Sequence, residues 1–474
     1  MPTDLATTGG SPVERYRPDL SRSILYLLLL SVLAAPVALG AVDSWVWSGQ
    51  VLLAGVGLAL WAVHLALGRR PPVAMRRLAI PAILFAAAML WGAVQASHLT
   101  PAAWHHPLWG MAGRTLDRGD IGAISLSPAD TRDAIFRLCG YAAVFYLTLN
   151  LCRDRRRARR VLEAVAAATT LYAAYGIVAH LSGAERILWM QKTSYFGDLT
   201  STFVNRNTFA IFAGLGLICL VGLLCDGMGR ATRGISARLE RRRLLGEFMV
   251  GRGAVLATAI FATGTAILLT HSRAGLACSV AALIVLLLAL GLSGAIALRR
   301  TMAAIAVATV LLIGLFLAGG GSGTTERLLQ VGDHAETRME IYRRTVDAIG
   351  DSPWLGTGFG AFANTFRLYR SQAIAEPFSE AHDTYLETVM ELGLPAGIAL
   401  LLAVASLPAL CLAGLVRRRR GLTLPAVGLA ASTLIGLHAV VDYSIQNPAI
   451  ASLYFLIMAA ACAQCWSSRV DTSR

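Results

Sequence analysis

The sequence predicts an all-α polytopic membrane protein of about 12 transmembrane helices with a helical loop domain outside the membrane. Of its 474 residues, 56% are hydrophobic and 15% are charged, whereas an average soluble domain carries about 25% charged residues. Apolar runs of about 20 residues, enough to cross the hydrocarbon core of a bilayer, recur along the chain. This composition excludes soluble multidomain enzymes and disordered scaffolds.

Twelve apolar runs are predicted to span the membrane. They cover residues 24–41, 45–68, 78–97, 133–152, 161–182, 207–227, 252–270, 275–297, 301–319, 384–416, 423–441 and 448–466. The run 384–416 is longer than a bilayer requires, so we expect it to begin as a helix outside the membrane. Pro395 and Pro408 lie within it, and proline kinks a helix.

The basic residues predict the orientation of these spans. Arginine supplies all 42 basic residues except Lys192, and the formal net charge is +14. Such an excess also fits nucleic-acid binding, but these arginines fall between apolar runs, as topology charges do. With the N-terminus placed in the cytoplasm, 28 basic residues fall on inner segments and 13 on outer segments. Because cytoplasmic loops are enriched in arginine and lysine, both termini are predicted to be cytoplasmic.

This topology divides the chain into five parts. The first part is a cytoplasmic tail, 1–23, and the second contains the first nine spans, 24–319. A large outer loop, 320–383, precedes the last three spans, 384–466, and a second cytoplasmic tail, 467–474. In the large loop, Met339, Tyr342, Val346 and Ile349 share one face of an amphipathic stretch. A turn and a glycine-rich segment follow, so the loop is predicted to form two short helices that cover the outer mouth of the bundle.

The sequence indicates no cofactor and no metal. The segment Gly356-Thr357-Gly358-Phe359-Gly360 lacks the GK[ST] of a P-loop and the strand context of a dinucleotide fold, so it is interpreted as a turn. Cys462 and Cys465 form a lone CxxC without the second pair typical of a metal site. The cysteines lie within or beside apolar runs, where they are expected to pack as small apolar residues.

Three residues at the predicted outer edge of the bundle can carry chemistry. Arg206 lies at the mouth of the sixth span, Arg273 follows the seventh in a short turn, and His382 lies where the large loop re-enters the membrane. A guanidinium binds phosphate oxygens bidentately, so two of them at one depth form a plausible clamp for a lipid-linked diphosphate. Histidine gains and loses a proton near neutral pH and can act as a general base. The alternative is structural: arginines snorkel to the interface, and histidines often only pack there.

Other residues are candidates for supporting roles. Asn205 and Asn207 flank Arg206, and they either contact a ligand or cap the sixth helix. Asp442 follows the eleventh span and either orients His382, pairs with an arginine or simply ends a helix. Arg137, one turn inside the fourth span, snorkels outward or lines the cavity. The other eight histidines are weaker candidates, and three of them, His98, His271 and His334, have no supporting pattern.

Aromatic residues on the outer segments are candidates for stacking on sugar rings, although an interfacial belt explains them equally well. They are Trp104, Trp109, Trp189, Tyr195, Trp354 and Tyr369.

Several of these segments together resemble the O-antigen ligase and O-antigen polymerase superfamily. They are Phe203-Val204-Asn205-Arg206-Asn207-Thr208-Phe209-Ala210, His271-Ser272-Arg273-Ala274-Gly275, Pro353-Trp354-Leu355-Gly356-Thr357-Gly358-Phe359-Gly360, Ala381-His382-Asp383-Thr384-Tyr385-Leu386-Glu387 and Glu391-Leu392-Gly393. The resemblance extends over residues 200 to 450. The pair His382-Asp383 departs from the family's His-Asn, His-Ser or His-Gln, which leaves the role of Asp383 open.

The resemblance implies a GT-C-like membrane glycosyltransferase of the bacterial inner membrane, with a periplasmic site that needs neither metal nor nucleotide. Arg206 and Arg273 match the family's diphosphate-binding arginines, and His382 matches its proposed base. The implied donor is a glycan on undecaprenyl diphosphate, the acceptor is lipid A core or another glycan, and membrane lipids surround the protein. No nucleic acid is implied. The expected function is O-antigen ligation, with inversion at the anomeric carbon.

Two kinds of alternative remain. A polymerase of O-antigen or exopolysaccharide has the same donor but uses another lipid-linked repeat as acceptor, and protein glycosylation is a third variant. A secondary transporter or flippase also needs about twelve spans, but transporters usually show repeat symmetry and charges deep within spans. No repeat stands out here, and Arg137, near the outer end of its span, is the only Arg or Lys within a span.

Overall fold

The computed structural model describes residues 20–68, 73, 75–117, 122–294, 302, 324–371, 374 and 378–466. Within these ranges the chain forms fifteen α-helices and one two-stranded antiparallel ribbon, Arg186–Ile187 with Met190–Gln191. The helices are α1 Leu20–Ala34, α2 Ser44–Ala66, α3 Ala79–Gln95, α4 Pro107–Thr115, α5 Pro128–Leu151, α6 Arg155–Leu181, α7 Arg206–Ala231, α8 Arg238–Phe248, α9 Ala254–Leu269, α10 Arg273–Leu292, α11 Thr324–Asp351, α12 Phe362–Tyr369, α13 Thr384–Arg417, α14 Thr423–His438 and α15 Pro448–Ala463.

Eleven of the twelve predicted spans correspond to helices in the described ranges. Nine helical segments are long and apolar enough to cross a membrane, and α14 and α15 are shorter apolar helices of 16 residues each. The predicted span 301–319 lies outside the described residues, apart from Met302. The chain is an all-α polytopic membrane protein, as its composition predicts.

Helices α7 and α15 form the interior of the bundle. Both are apolar on all sides; α15 is almost wholly buried and α7 is buried over most of its length, which is typical of a helix surrounded by other helices. Small residues allow the close approach: a Cβ atom at Gly216 of α7 would lie 2.1 Å from the Thr169 hydroxyl of α6. Because hydrophobic burial does not drive helix association within a bilayer, such close packing supplies much of the cohesion of the bundle.

Helix α13 bends at Gly393, where the backbone adopts φ +74° and ψ 164°. The predicted bend therefore lies two residues before Pro395, since the residues ahead of a proline are pushed out of the helical conformation and glycine accepts a positive φ. Freed backbone groups at this bend bond to the glycine-rich segment. Gly358 donates to the Glu391 carbonyl at 3.0 Å, and Leu394 donates to the Pro353 carbonyl at 2.8 Å.

The segment 353–360 is consequently fixed against α13 rather than free to move as a flap. A Cβ atom at Gly356 would lie 2.3 Å from the Glu391 carbonyl oxygen, so only glycine fits this approach. The motifs around Gly356 and Gly393 thus serve one packing contact, which places α11 and α12 against the first turns of α13.

The packed face of α11 differs from the predicted one. Ile341, Thr345 and Ala348 are buried, whereas Met339 and Val346 are 53% and 52% exposed. Tyr342 and Ile349, which were predicted on the apolar face, lie at its edge with partial exposure. The sequence contains two overlapping apolar stripes on this helix, and its packing partner α13 selects the stripe that includes the small residues Thr345 and Ala348.

Candidate active site

Three of the motifs form helix N-termini at one end of the bundle. Arg206 is the first residue of α7 and Arg273 the first residue of α10, while His382 precedes Asp383, the N-cap of α13. Each cap is made by a side chain: the Ser272 hydroxyl, for example, accepts a hydrogen bond from the Gly275 amide at 3.2 Å. Helix N-termini carry a partial positive charge and unpaired amides, both of which favour a bound anion.

A hydrogen-bond network joins the start of α7 to the segment after α14. The Asn205 side chain accepts from the Asn207 amide at 2.8 Å, which caps α7, and its Nδ2 donates to the Tyr443 hydroxyl at 3.1 Å. Asn207 donates through Nδ2 to the Asp442 carboxylate at 2.7 Å. Asn205 is therefore both a cap and a network member, whereas Asn207 binds Asp442 directly.

The same network reaches His382 through Asp442. Asp442 is 2% exposed, and its Oδ1 lies 3.5 Å from His382 Nδ1, an ion-pair distance longer than a normal hydrogen bond. Burial raises the pKa of Asp442, but the interactions with His382 and His438 and the Tyr443 amide outweigh burial, so its pKa is lowered overall. The carboxylate is thus ionised at neutral pH and directed at Nδ1 of the imidazole.

His382 is held by its neighbours in a left-handed backbone conformation, φ +57°. This conformation is costly for a residue other than glycine. The backbone on both sides is fixed: the Ala381 amide donates to Glu387 Oε2 at 2.7 Å, and the Tyr342 hydroxyl donates to the His382 carbonyl at 3.1 Å. The imidazole packs edge-on against Tyr443, with ring centroids 5.1 Å apart.

Asp383 acts as a helix cap. Its Oδ1 accepts from the Tyr385 and Leu386 amides at 2.9 and 3.0 Å. Burial raises the pKa of Asp383, and these two amides partly offset that effect. Aspartate, asparagine and serine are all strong N-cap residues, so the departure from the family pattern at this position preserves a structural role.

Arg206 and the turn before α10 share one carboxylate, Asp198, that the sequence alone did not mark. Arg206 Nη1 pairs with Asp198 Oδ2, and His271 Nδ1 lies 2.7 Å from Asp198 Oδ1. His271, which was predicted to have no supporting pattern, therefore connects the loop before α7 to the N-terminus of α10. The Arg206 guanidinium also lies 5.4 Å above the ring of Tyr195.

Arg273 differs from Arg206 in having no such partner. Its side chain is exposed, and none of the described residues makes a hydrogen bond or ion pair with it. It follows His271 by two residues, so it lies beside the Asp198 cluster. Thus one arginine of the predicted pair is fixed in an ion pair and the other is available.

Arg137 does not join this network through any described contact. Its guanidinium lies 5.7 Å above Trp47, and its Nε is buried without a hydrogen-bond partner in the described ranges. It lines a small cavity with Gln50 and Tyr141 instead. Burial raises the pKa of Glu380, and the charge of Arg137 offsets a small part of that increase.

Three carboxyl groups adjoin the His382 loop. Glu387 and Glu391 are each 4% exposed on α13, and Glu391 Oε1 accepts from the Phe362 amide at 2.9 Å. Glu380 bonds to the Glu387 side chain, and burial raises the pKa of Glu380 to about 7. The sequence contains a signal for this cluster, because two glutamates lie four residues apart in an apolar helix. Buried carboxyl groups need partners, so such a pair predicts a polar cluster.

These features define a class: a polytopic membrane protein with a histidine, carboxylate and arginine site at one end of its bundle. Among the described residues, no group of three or more His, Cys, Asp or Glu side chains is arranged to hold a metal ion. A family model described as O-antigen ligase matches residues 257–401. The chain therefore carries an O-antigen ligase domain over these residues, which supports the O-antigen ligase and polymerase superfamily that its motifs resemble.

The matched range includes Arg273, the glycine-rich segment and His382, whereas Arg206 and Asp442 lie outside it. No curated protein matches the chain.

Proposed function

We propose that this protein is an O-antigen ligase that transfers a glycan from undecaprenyl diphosphate to an acceptor sugar of lipid A core. The reaction takes place at the periplasmic face of the bacterial inner membrane, proceeds with inversion and uses no metal. The observation that carries the proposal is the network that links His382, Asp442 and the N-terminus of α7 at the end of the bundle where α10 also begins. The family match supports the general chemistry.

The donor diphosphate binds at the N-termini of α7 and α10. Arg273 supplies free guanidinium donors, and Arg206 adds a second positive charge that Asp198 holds in place. As the bond between the anomeric carbon and the diphosphate oxygen breaks, negative charge grows on the leaving diphosphate. Two guanidinium groups stabilise that charge more strongly than they stabilise the bound donor, which is the requirement for catalysis.

His382 deprotonates the acceptor hydroxyl. Because Asp442 faces Nδ1 at 3.5 Å, Nδ1 carries the proton in the neutral tautomer and Nε2 is the basic nitrogen. The acceptor oxygen then forms the new bond to the anomeric carbon on the face opposite the diphosphate, which departs with the bonding electrons. The proton ends on Nε2, where the Asp442 carboxylate stabilises the imidazolium until solvent accepts the proton.

Exposed aromatic residues mark the acceptor side. Trp104, Trp189 and Trp354 are 43%, 78% and 68% exposed on the outer segments. Of the other predicted stacking residues, Trp109 donates to the Ser125 carbonyl, Tyr369 bonds to Asp351 and Tyr195 lies against Arg206. The three exposed tryptophans are therefore the available surfaces for sugar rings.

Reconstitution tests the proposal directly. Purified protein in proteoliposomes is mixed with a glycan on undecaprenyl diphosphate and, in separate reactions, with lipid A core or with a second lipid-linked repeat. We expect glycan transfer to lipid A core without added metal, and strongly reduced transfer for His382→Ala and Arg273→Ala. Undiminished transfer by both variants contradicts the mechanism. Products formed only from two lipid-linked repeats identify a polymerase instead.

The orientation has its own test. Trp189→Cys lies at the proposed periplasmic end and Val250→Cys at the opposite end, and both positions are highly exposed. Each is introduced into a Cys139→Ser background, because Cys139 is an exposed native thiol. A membrane-impermeant maleimide added to cells with a permeabilised outer membrane should label the first variant and not the second. The reverse pattern places the site in the cytoplasm.

A further inference from the structure

A second polar cavity lies at the end of the bundle opposite the candidate active site. It has a volume of about 410 Å³ and is bounded by the beginning of α6, the last turns of α7 and the beginning of α14. Four arginines line it, Arg155, Arg156, Arg159 and Arg230. None of them takes part in the network around His382, so this cavity is separate from the proposed glycosyl-transfer site.

The cavity holds more positive charge than its acids neutralise. Asp226 pairs with three arginines at once: Arg159 at 2.6 Å, Arg230 at 3.2 Å and Arg155 at 3.5 Å. Each guanidinium has five N–H donors, so one shared carboxylate leaves most of them unused. The cavity therefore presents unsatisfied donors and excess positive charge, which together select an anion with several oxygen acceptors.

The neighbouring acid does not cancel this excess. Glu163 pairs with Arg159 at 2.7 Å and with Arg252 at 2.7 Å. Together, the connected set contains four arginines and two acids. Asp154 also lines the cavity, but its side chain caps α6 through the Arg156 amide.

The depth of the cavity matches a lipid headgroup. Asp226 lies 20 residues after Arg206 on the continuous helix α7, which corresponds to about 30 Å at the helical rise per residue. This distance is about the thickness of the hydrocarbon core. If the Arg206 end lies at one headgroup layer, the cavity lies at the other. Its remaining walls are apolar and include Leu162, Leu223 and Leu424, as suits a ligand with a charged head and an apolar body.

We propose that this cavity binds the phosphate of an anionic phospholipid, with the arginines around Asp226 as its donors and the leucines against its glycerol and first acyl carbons. Basic pockets between transmembrane helices are suited to such headgroups. A free phosphate ion carries the same charged group as the phospholipid. However, it needs neither an apolar wall nor a site at the membrane boundary. The site is independent of the proposed glycosyl transfer.

Binding of phosphatidylglycerol to the purified full-length protein in detergent, measured by native mass spectrometry, tests the proposal. Phosphatidylcholine serves as the neutral reference lipid. We expect the double variant Arg155→Gln/Arg230→Gln to bind phosphatidylglycerol about thirtyfold more weakly, because each arginine near a membrane surface contributes about fivefold in affinity. The matched control is Arg241→Gln/Arg243→Gln on α8, which removes two exposed arginines outside the cavity. An equal loss in the control overturns the proposal.

A second variant separates binding from folding. Asp226→Asn removes the carboxylate that three arginines share, so it should bind phosphatidylglycerol about fivefold more tightly. A purely structural role for the cluster predicts weaker binding in both variants and overturns the proposal. Inorganic phosphate at millimolar concentration should not displace the lipid. Complete displacement would assign the cavity to a free phosphate and overturn the lipid assignment.

Discussion

Both ends of the bundle gather basic residues around a shared aspartate, but they differ in what surrounds it. At one end, Asp198 pairs with Arg206 and His271, beside a partly buried network of asparagine, tyrosine and histidine side chains around the buried Asp442. At the other end, Asp226 pairs with three arginines above a wall of leucines. The first end combines a titratable group, a buried carboxylate and hydrogen-bond donors that can bind an anion. Catalysis requires such a combination. The second has only excess charge, which is sufficient for binding.

The difference between the ends predicts that a substitution within the His382 network lowers activity strongly, whereas a substitution at the opposite end does not. His382→Gln should lower kcat for glycan transfer by about 10²- to 10⁴-fold, because a positioned general base contributes that much. Initial rates of product formation in proteoliposomes measure this effect.

Two controls accompany that measurement. His180→Gln changes a histidine at the end of α6, on the same side of the bundle but outside the His382 network, and Arg243→Gln changes an exposed arginine on α8 at the opposite end. Both should retain transfer within about twofold, as surface substitutions usually do. If His382→Gln also retains that rate, the imidazole is not the general base. The two ends would then not differ in catalytic function.

The two arginines of the proposed clamp should respond differently. Arg273→Gln is expected to lower kcat/KM by about 10- to 100-fold through loss of charge-assisted bonds to the diphosphate. Its melting temperature should stay close to that of the wild type, because no described residue pairs with Arg273. Arg206→Gln should lower both activity and melting temperature, since it leaves Asp198 without its arginine partner.

Differential scanning fluorimetry beside the kinetic assay makes this comparison. Equal melting temperatures for the two arginine variants would contradict the assignment of Arg206 as the fixed member and Arg273 as the available one.

The sequence predicted the membrane class, eleven of the spans that the described residues contain, and the positions of Arg206, Arg273 and His382 close to helix starts. Each of these predictions rests on a local pattern. It did not predict Asp198 or the contact of His271, since a carboxylate in an irregular loop has no periodic signal and its partners lie 8 and 73 residues away. The bend of α13 was misplaced by two residues for a related reason. Pro395 restricts the residues before it, and the contact of Gly393 with residues 353–356 decides which one bends.

The interpretation of Asp442 shows how much tertiary context adds. From sequence it was equally a positioning residue, an arginine partner or a helix-end residue. The structure gives it contacts to Asn207 and to His382 and none to Arg206 or Arg273 among the described residues. Long-range pairing of this kind depends on the crossing of α7, α13 and α14, which no local pattern encodes.

Asp442→Asn should therefore act through His382. We expect kcat to fall by about tenfold with little change in KM, because the stabilised imidazolium loses one charge interaction of about 1.4 kcal/mol. Since the pKa of Asp442 is lowered in the folded protein, its contribution is lost only as pH falls through that lowered value, below the usual range for aspartate. The rates are therefore compared at pH 8, where the Asp442 carboxylate is ionised in the wild type. Equal kcat values for the wild type and Asp442→Asn would contradict the assignment.

Glu380 offers the smallest and most specific test of the comparison. Burial raises its pKa from 4.5 to about 7, so the neutral carboxyl stabilises the fold fully below about pH 4.5, and this stability is lost as pH rises through 7. Relative to Glu380→Gln, which is neutral at every pH, the wild type should lose about 3 °C in melting temperature between pH 4.5 and 7.5.

Glu247→Gln is the matched control at the opposite end, because Glu247 is 56% exposed in a surface ion pair with Arg243. A surface pair of that kind contributes little to stability, so its melting curve should parallel that of the wild type over the same range. Parallel curves for Glu380→Gln as well would mean that its carboxyl is solvated, and the two ends would then not differ in how they bury acids.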